Sequence, residues 1–204
     1  MAQRHNITDD YLNSFPFADL VEGKVIADIG PGDGYATRKF LNAGAEHVYP
    51  NDIDFTNFDK ELESDPRVTC LKNDLSVFAP SLQFDIVWCH HCLEHVNDPY
   101  GFLKNIATRL NPESASCWLW LGVPNMAQTP IFSTGHIHNF TAPSLIALLR
   151  RAGYDVSNAS IWAVNGQLRI RVQPHNCTPY PAPMLAALKE TGRCHPDVIA
   201  NYNW

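Results

Sequence analysis

Short apolar runs alternate with stretches carrying apolar residues at helical spacing along most of this chain, and that alternation is what most narrows its fold. Residues 24–30, KVIADIG, form the first apolar run and are closed by glycine. Residues 35–43 then carry a helical pattern, with Gly44 as the stop. A second strand begins at His47 and ends in acid, a short helix is expected over 55–64, and a brief third strand over 68–71. The fourth strand starts at Phe84, a helix follows over 98–110, and the fifth strand starts at Cys117. A further helix spans 141–152, with Thr141 as N-cap, Pro143 early and Gly153 as its end. The last strands, 154–164 and 167–173, flank Asn165-Gly166, a hairpin turn because both residues tolerate positive φ. Alternation of this kind implies a parallel sheet with helices on both faces, and the closing hairpin adds one antiparallel strand. Ligands of such open sheets bind at the carboxyl ends of the strands.

A length of 204 residues suits one domain. It divides into a lead-in or lid over 1–20, a core over 20–175 and a Pro-rich tail over 174–204, with one helical candidate at 184–189. With 45% hydrophobic and 18% charged residues the chain has ample core material. A net charge of −6 argues against a general nucleic-acid surface, which needs Lys and Arg to displace counterions from phosphates. No apolar run approaches the roughly 20 residues that span a bilayer, and the polar start lacks the apolar centre of a signal peptide. A cytoplasmic protein without membrane attachment is expected. The six cysteines form no compact framework, so free thiols are expected. Cys89 and Cys92 make a C-x-x-C without a second pair at zinc-clip spacing, which favours packing.

The segment Asp28-Ile29-Gly30-Pro31-Gly32-Asp33-Gly34 follows the first strand and opens a helix. Its glycines permit a tight turn and close backbone approach to a ligand. Their spacing is tighter than the dinucleotide G-x-G-x-x-G, so a cofactor with an amino-acid tail fits better than a pyrophosphate. Asp28 would then take an ammonium, directly or through water. Asp52 ends the second strand, where an acid can bind ribose hydroxyls, with Asp54 as the alternative. Asn73-Asp74 follows the third strand, where an acid can accept from an adenine amino group.

These residues resemble the class I S-adenosylmethionine-dependent methyltransferases of the small-molecule type, over roughly residues 20–175. The family pattern is met by Asp28 through Gly34, Asp52, Asn73-Asp74 and Phe84-Asp85-Ile86-Val87. It continues in Leu93-Glu94-His95-Val96-Asn97-Asp98-Pro99, Val123-Pro124-Asn125, Phe140-Thr141 and Ala152-Gly153-Tyr154. The departure at Asn111-Pro112-Glu113-Ser114 alters only a turn. The resemblance implies an α/β, Rossmann-like, seven-stranded, mostly parallel sheet of order 3-2-1-4-5-7-6. It implies that Asp28, Gly30 and Gly32 hold the methionine part and Asp52 the ribose. Asp74 and Leu75 would border the adenine, and Pro31, Ile53 and His90 would also lie against the cofactor. Residues after the fourth strand would face the methyl group, whose transfer leaves S-adenosylhomocysteine.

Cys89-His90-His91-Cys92-Leu93-Glu94-His95 follows the fourth strand, and three readings of it compete. The first is an ordinary loop and first helical turn, since L-E-H-V is common in the family. The second is a divalent-metal site. On a helix His91, Glu94 and His95 would share one face, and His136 or His138 would add a ligand. This resembles the E-x-x-E-H of metal-dependent ubiquinone-biosynthesis and small-RNA O-methyltransferases, with His91 where they carry glutamate. An imidazole-rich set favours zinc, iron, nickel or manganese. The third reading is a general base for O-methylation, with His138 ranked before His91 and His95.

O-methylation of a small metabolite is the expected activity, with a small-molecule acceptor, no nucleic-acid or membrane partner, and a monomer or homodimer. Small-RNA 2′-O-methylation is the alternative enzyme. A non-catalytic cofactor-binding partner subunit is the alternative outside catalysis. Asn125 is a further candidate for acceptor contact, Tyr11 and residues 15–17 for a cover over the cofactor. Trp118, Trp120 and Trp162 are expected in the core.

Overall fold

The computed structural model describes residues 2–14, 16–74, 82–114, 116–128 and 135–177. Two helices lead in, α1 (Ala2–Leu12) and α2 (Phe17–Val21). The core then runs β1 (Val25–Ile29), α3 (Tyr35–Asn42), β2 (His47–Asp52), α4 (Lys60–Glu63), β3 (Leu71–Lys72) and β4 (Ile86–His90). It ends with α5 (Pro99–Arg109), β5 (Trp118–Pro124), α6 (Ala142–Arg151), β6 (Ser160–Val164) and β7 (Gln167–Val172). The seven strands form one sheet in the order β3-β2-β1-β4-β5-β7-β6, as expected. β1 pairs in parallel with both β2 and β4, and β7 alone pairs antiparallel, with β5 and β6. Among the described residues no helix is long and apolar enough to cross a membrane.

Alternation along each strand builds two cores. Ala27, Ile29, Val87, Cys89, Leu119, Leu121, Leu168 and Ile170 pack under α5 and α6. Ile26, Val48, Ile86, Trp88, Trp118, Trp120 and Trp162 pack under α1, α2 and α3, against Tyr11, Leu20, Val21 and Phe40. The three tryptophans are thus core residues, as expected. β7 sorts Leu168, Ile170 and Val172 to the first face and Gln167, Arg169 and Arg171 to the second, and all six are buried. On that second face Arg169 pairs with Asp10 of α1 at 2.9 Å and lies over the Tyr11 ring. The Tyr11 hydroxyl donates to the Ile170 carbonyl at 2.8 Å. Tyr11 is therefore an anchor of α1 on the sheet.

Several elements are shorter than the sequence pattern suggests. The expected helix over 55–64 is reduced to α4. Its start is fixed by Asp59, which accepts from the Glu61 N–H at 2.9 Å, while Asp54 caps the preceding turn through Thr56. The strand expected over 154–164 begins only at Ser160, because the Asp155 side chain accepts from the Ser157 N–H and forms a local turn. At the sheet edge, β3 is two residues long and Val68 makes one isolated bridge to Val48. The candidate helix at 184–189 lies outside the described residues.

One expectation is overturned. Cys117 and Cys177 form a disulfide across 60 residues, with Cα atoms 6.2 Å apart. The antiparallel return of β7 brings the chain back past the start of β5, a proximity that sequence spacing does not encode. Cys70, Cys89 and Cys92 are free thiols.

Removing only the α1 anchor hydroxyl tests this packing. Tyr11→Phe is expected to lower unfolding stability by about 1 kcal/mol, the value of a buried neutral hydrogen bond. Denaturant unfolding would show it, and an unchanged midpoint would mean that the hydroxyl holds nothing.

Candidate active site

The loop after β1 turns sharply because Gly30, Gly32 and Gly34 all adopt positive φ. Gly30 has a second reason to be glycine. Any Cβ there would collide with the Cys92 Sγ, which sits beneath the loop and donates to the Ile29 carbonyl at 3.0 Å. The turn after β4 thus supports the turn after β1. Asp33 accepts from the Tyr35 N–H at 3.2 Å and starts α3.

Asp28 is buried at the end of β1 and accepts from the Thr37 hydroxyl at 2.6 Å. Its other oxygen, Oδ1, is buried with no hydrogen-bond partner. Burial pushes its pKa up to about 7 against the Thr37 hydrogen bonds, with Asp52 and Asp33 adding to the rise. A buried carboxyl with one open oxygen is costly for the fold and suited to a cationic ligand.

One cavity of about 670 Å³ runs from this loop to the end of β4. Asp28, Gly30, Pro31 and Gly32 line one side, and His90, His91, Glu94, His95 and His136 the other. Trp88 also lines it, and α1 adds His5, Ile7 and Thr8. His5 donates to Asp33 at 2.6 Å and stacks on Tyr35 with ring centroids 3.9 Å apart. Tyr35 in turn donates to Asp9 at 2.7 Å. No lysine or arginine occurs among the described lining residues.

The histidine wall is built differently from the helical face expected. His91 precedes the single 3₁₀ turn Leu93–His95 and takes a left-handed backbone, φ 57°. That turn directs its Nδ1 to the Glu94 Oε1 at 3.1 Å. Glu94 is buried, and its Oε2 has no hydrogen-bond partner. The Glu94 carbonyl accepts from the N–H groups of Ile137 and His138, at 2.9 and 3.1 Å, which pins the later loop to this turn. His95 donates from Nδ1 to the Gly135 carbonyl at 2.7 Å. As a result one donor atom each from Glu94, His95 and His136 lie within 4.8 Å of one another. His91 and His138 stand outside that group. His138 is also outside the cavity's described lining, and its Nε2 is buried with no hydrogen-bond partner.

The remaining expected residues sit as follows. Asp52 accepts from the Ile53 N–H at 2.7 Å, and Ile53 is exposed at 63%. Asp52, Ile53 and the exposed Asp74 share the same sheet edge but lie outside the cavity's described lining. Leu75 and Phe15 lie outside the described residues. Asn125 is buried and accepts from the Ala127 N–H at 3.1 Å. The structure adds His5, Tyr35 and Trp88, none of which stands in a recognisable motif. His5 sits in a stretch whose only large apolar residues are Ile7, Tyr11 and Leu12, so periodicity gives little signal.

The raised Asp28 pKa has a stability consequence. Between about pH 4 and pH 7 the unfolded carboxyl is ionised while the native one keeps its proton. The native state then binds more protons, so stability falls as pH rises through this window. Asp28→Asn is expected to raise the melting temperature more at pH 8 than at pH 5. An equal gain at both would show that Asp28 is not the buried proton acceptor.

The comparisons agree with this geometry. The sequence profile of the Methyltransferase domain matches residues 2–159. No curated protein matches the sequence. An S-adenosylmethionine-dependent methyltransferase from Mesorhizobium loti superposes with a TM-score of 0.62 at 16% identity, covering 80% of this chain and 95% of that one. An N-methyltransferase from Bradyrhizobium japonicum, solved with S-adenosylhomocysteine, gives 0.63 at 15% identity, covering 85% and 87%. Magnesium protoporphyrin IX methyltransferase from Synechocystis, with bound S-adenosylmethionine, gives 0.62 at 15%, covering 83% and 79%. At such identities these structures establish the fold, and the profile match over most of the chain establishes the family: the protein is a member of the methyltransferase domain family with the class I S-adenosylmethionine-dependent fold.

Proposed function

We propose that this chain methylates an oxygen of a small, uncharged metabolite, with S-adenosylmethionine as donor. The observation that carries the reading is the single cavity joining the glycine loop to the histidine wall. At about 670 Å³ it takes the methionine part of the cofactor and the acceptor together, which suits a modest acceptor. The absence of lysine and arginine from its described lining weighs against a phosphate-bearing acceptor, and so against the small-RNA alternative.

The residues present fit the cofactor. Asp28 Oδ1 is a buried acceptor without a partner and suits the ammonium of the methionine part. Gly30, Pro31 and Gly32 leave the loop backbone open to it. Asp52 is held by its own turn to receive ribose hydroxyls, and exposed Ile53 offers an apolar surface to the adenine at the same sheet edge as Asp74. When bound, the cofactor supplies a sulfonium methyl that an attacking oxygen displaces. The chain supplies proximity and alignment. His91, oriented by the Glu94 carboxylate, is the group best held to take the hydroxyl proton.

A divalent metal is the second reading, favoured by the clustering of Glu94, His95 and His136. The Glu94 Oε2 is buried and unpartnered, and two imidazoles with one carboxylate suit zinc, iron, nickel or manganese. Such an ion, when bound, would draw a substrate hydroxyl toward its alkoxide.

Three measurements test these readings. Labelled S-adenosylmethionine offered with a metabolite extract is expected to mark a small, chloroform- or water-soluble product. Label in RNA, or binding to RNA that falls steeply with salt, would reverse the ranking. Tight cofactor binding without transfer to any fraction would support the non-catalytic alternative. On the second reading, metal analysis of tag-free protein finds a transition metal, lowered at least about tenfold by Glu94→Gln. Metal-free protein with activity unaffected by chelator removes the second reading.

A further inference from the structure

Asp28 stands on the face of β1 that α3 covers. Alternation turns Ile26 toward Phe40 of that helix, and Asp28, two residues on, shares the face. Its side chain therefore meets the first turn of α3. Thr37, the third residue of the helix, is fully buried and donates its hydroxyl to the Asp28 Oδ2 at 2.6 Å. Its neighbours Ala36, Phe40 and Leu41 on the same helix are apolar core residues. A hydroxyl in such surroundings costs free energy unless it is hydrogen-bonded, and threonine is a poorer helix former than alanine. Packing alone gives no reason for a hydroxyl here, and Asp28 is the partner that satisfies it.

This hydrogen bond divides the work of the carboxyl. Oδ2 is spent on Thr37, while Oδ1 is buried without a hydrogen-bond partner, in a residue that lines the cavity. Asp52 at the end of β2 and Asp33 in the glycine loop are charged groups that act on Asp28, and both are acids. The Cys92 thiol faces it from the turn after β4. The other titratable groups of the described lining are Tyr35, Glu94, His5 on α1, and His90, His91, His95 and His136 on the histidine wall. No lysine or arginine is among them, so the cation that completes Oδ1 is one that a ligand brings.

We propose that Thr37 is the positioning residue of an ammonium site on Asp28: its hydroxyl holds Oδ2, so that Oδ1 meets the α-ammonium of the cofactor's methionine part. A donor on Oδ2 favours the carboxylate over the acid, and an incoming ammonium needs the carboxylate. Thr37 thus serves the cofactor from the far side of Asp28, without touching it. This role rests on the reading of Asp28 as the partner of the ammonium, and it adds a residue outside the glycine loop on which that partner depends. The sign of the pH dependence follows. Burial raises the Asp28 pKa to about 7, and the Thr37 hydrogen bond opposes that rise. Affinity for the cofactor therefore increases as pH rises through neutrality, and loss of the hydroxyl moves that increase to higher pH.

Calorimetric binding of S-adenosylhomocysteine, beside 5′-methylthioadenosine, which lacks the amino-acid tail, tests this. Thr37→Val keeps the side-chain shape and is expected to weaken S-adenosylhomocysteine at least about tenfold, the order of one hydrogen bond to a charged group. Methylthioadenosine is expected to bind as before, and Thr37→Ser to restore most of the loss. Thr37→Ala is the second variant should valine disturb folding. In an Asp28→Asn background, Thr37→Val is expected to change nothing further, because the two residues act as one unit. The rise of S-adenosylhomocysteine affinity with pH is expected to move upward in Thr37→Val, while the ligand's own amine titrates alike in both proteins. Unchanged S-adenosylhomocysteine affinity, an equal loss for both ligands, additive effects in the double variant or an unmoved pH curve overturns the role of Thr37 and leaves the cofactor reading standing. Failure of the unaltered protein to bind S-adenosylhomocysteine at any pH overturns the cofactor reading and the role of Thr37 with it.

Discussion

The site depends on the contact between Gly30 and Cys92. β1 and β4 lie side by side at the centre of the sheet, and the chain leaves them in turns that share one small space. The Cys92 sulfur fills that space beneath Gly30 and reaches the last carbonyl of β1. Interior packing tolerates little change in volume, so the two turns are fixed relative to each other. That fixes the glycine loop against the histidine wall. Glu94 stands two residues past Cys92, and its carbonyl then fixes the loop bearing His136 and His138.

The second face of the sheet bears a desolvation cost. Gln167, Arg169, His90 and Asp28 are polar groups placed under α1 and α3, where apolar residues would pack more cheaply. Arg169 and Asp10 offset part of that cost by joining α1 to β7. Asp28 Oδ1, Glu94 Oε2 and His90 Nε2 keep unpartnered atoms around one cavity.

Much of this was legible in the residue order. The glycine turn, the Thr141 cap and the Asn165-Gly166 hairpin follow from local patterns, because period and turn chemistry act within a few residues, whereas the strand order is implied only by the family resemblance. Element ends were less legible. Asp54, Asp59 and Asp155 satisfy backbone groups locally and so cut short a helix and a strand whose apolar patterns run on. The role of α1 was hardly legible at all, since its few apolar side chains gain their meaning only from the sheet they meet.

By itself the sequence determined the family and, through it, the sheet, together with the edge at which the candidate site lies. Tertiary structure alone decided which side chains meet there. It joined Cys117 to Cys177 and brought His5 to Asp33. It also set His136 beside Glu94 and His95 in place of His91 or His138, because His91 turns through a left-handed backbone and leaves the helical face that its spacing suggests. Such contacts arise between residues tens of positions apart, where geometry depends on how strands register and cross, and no local period carries that information.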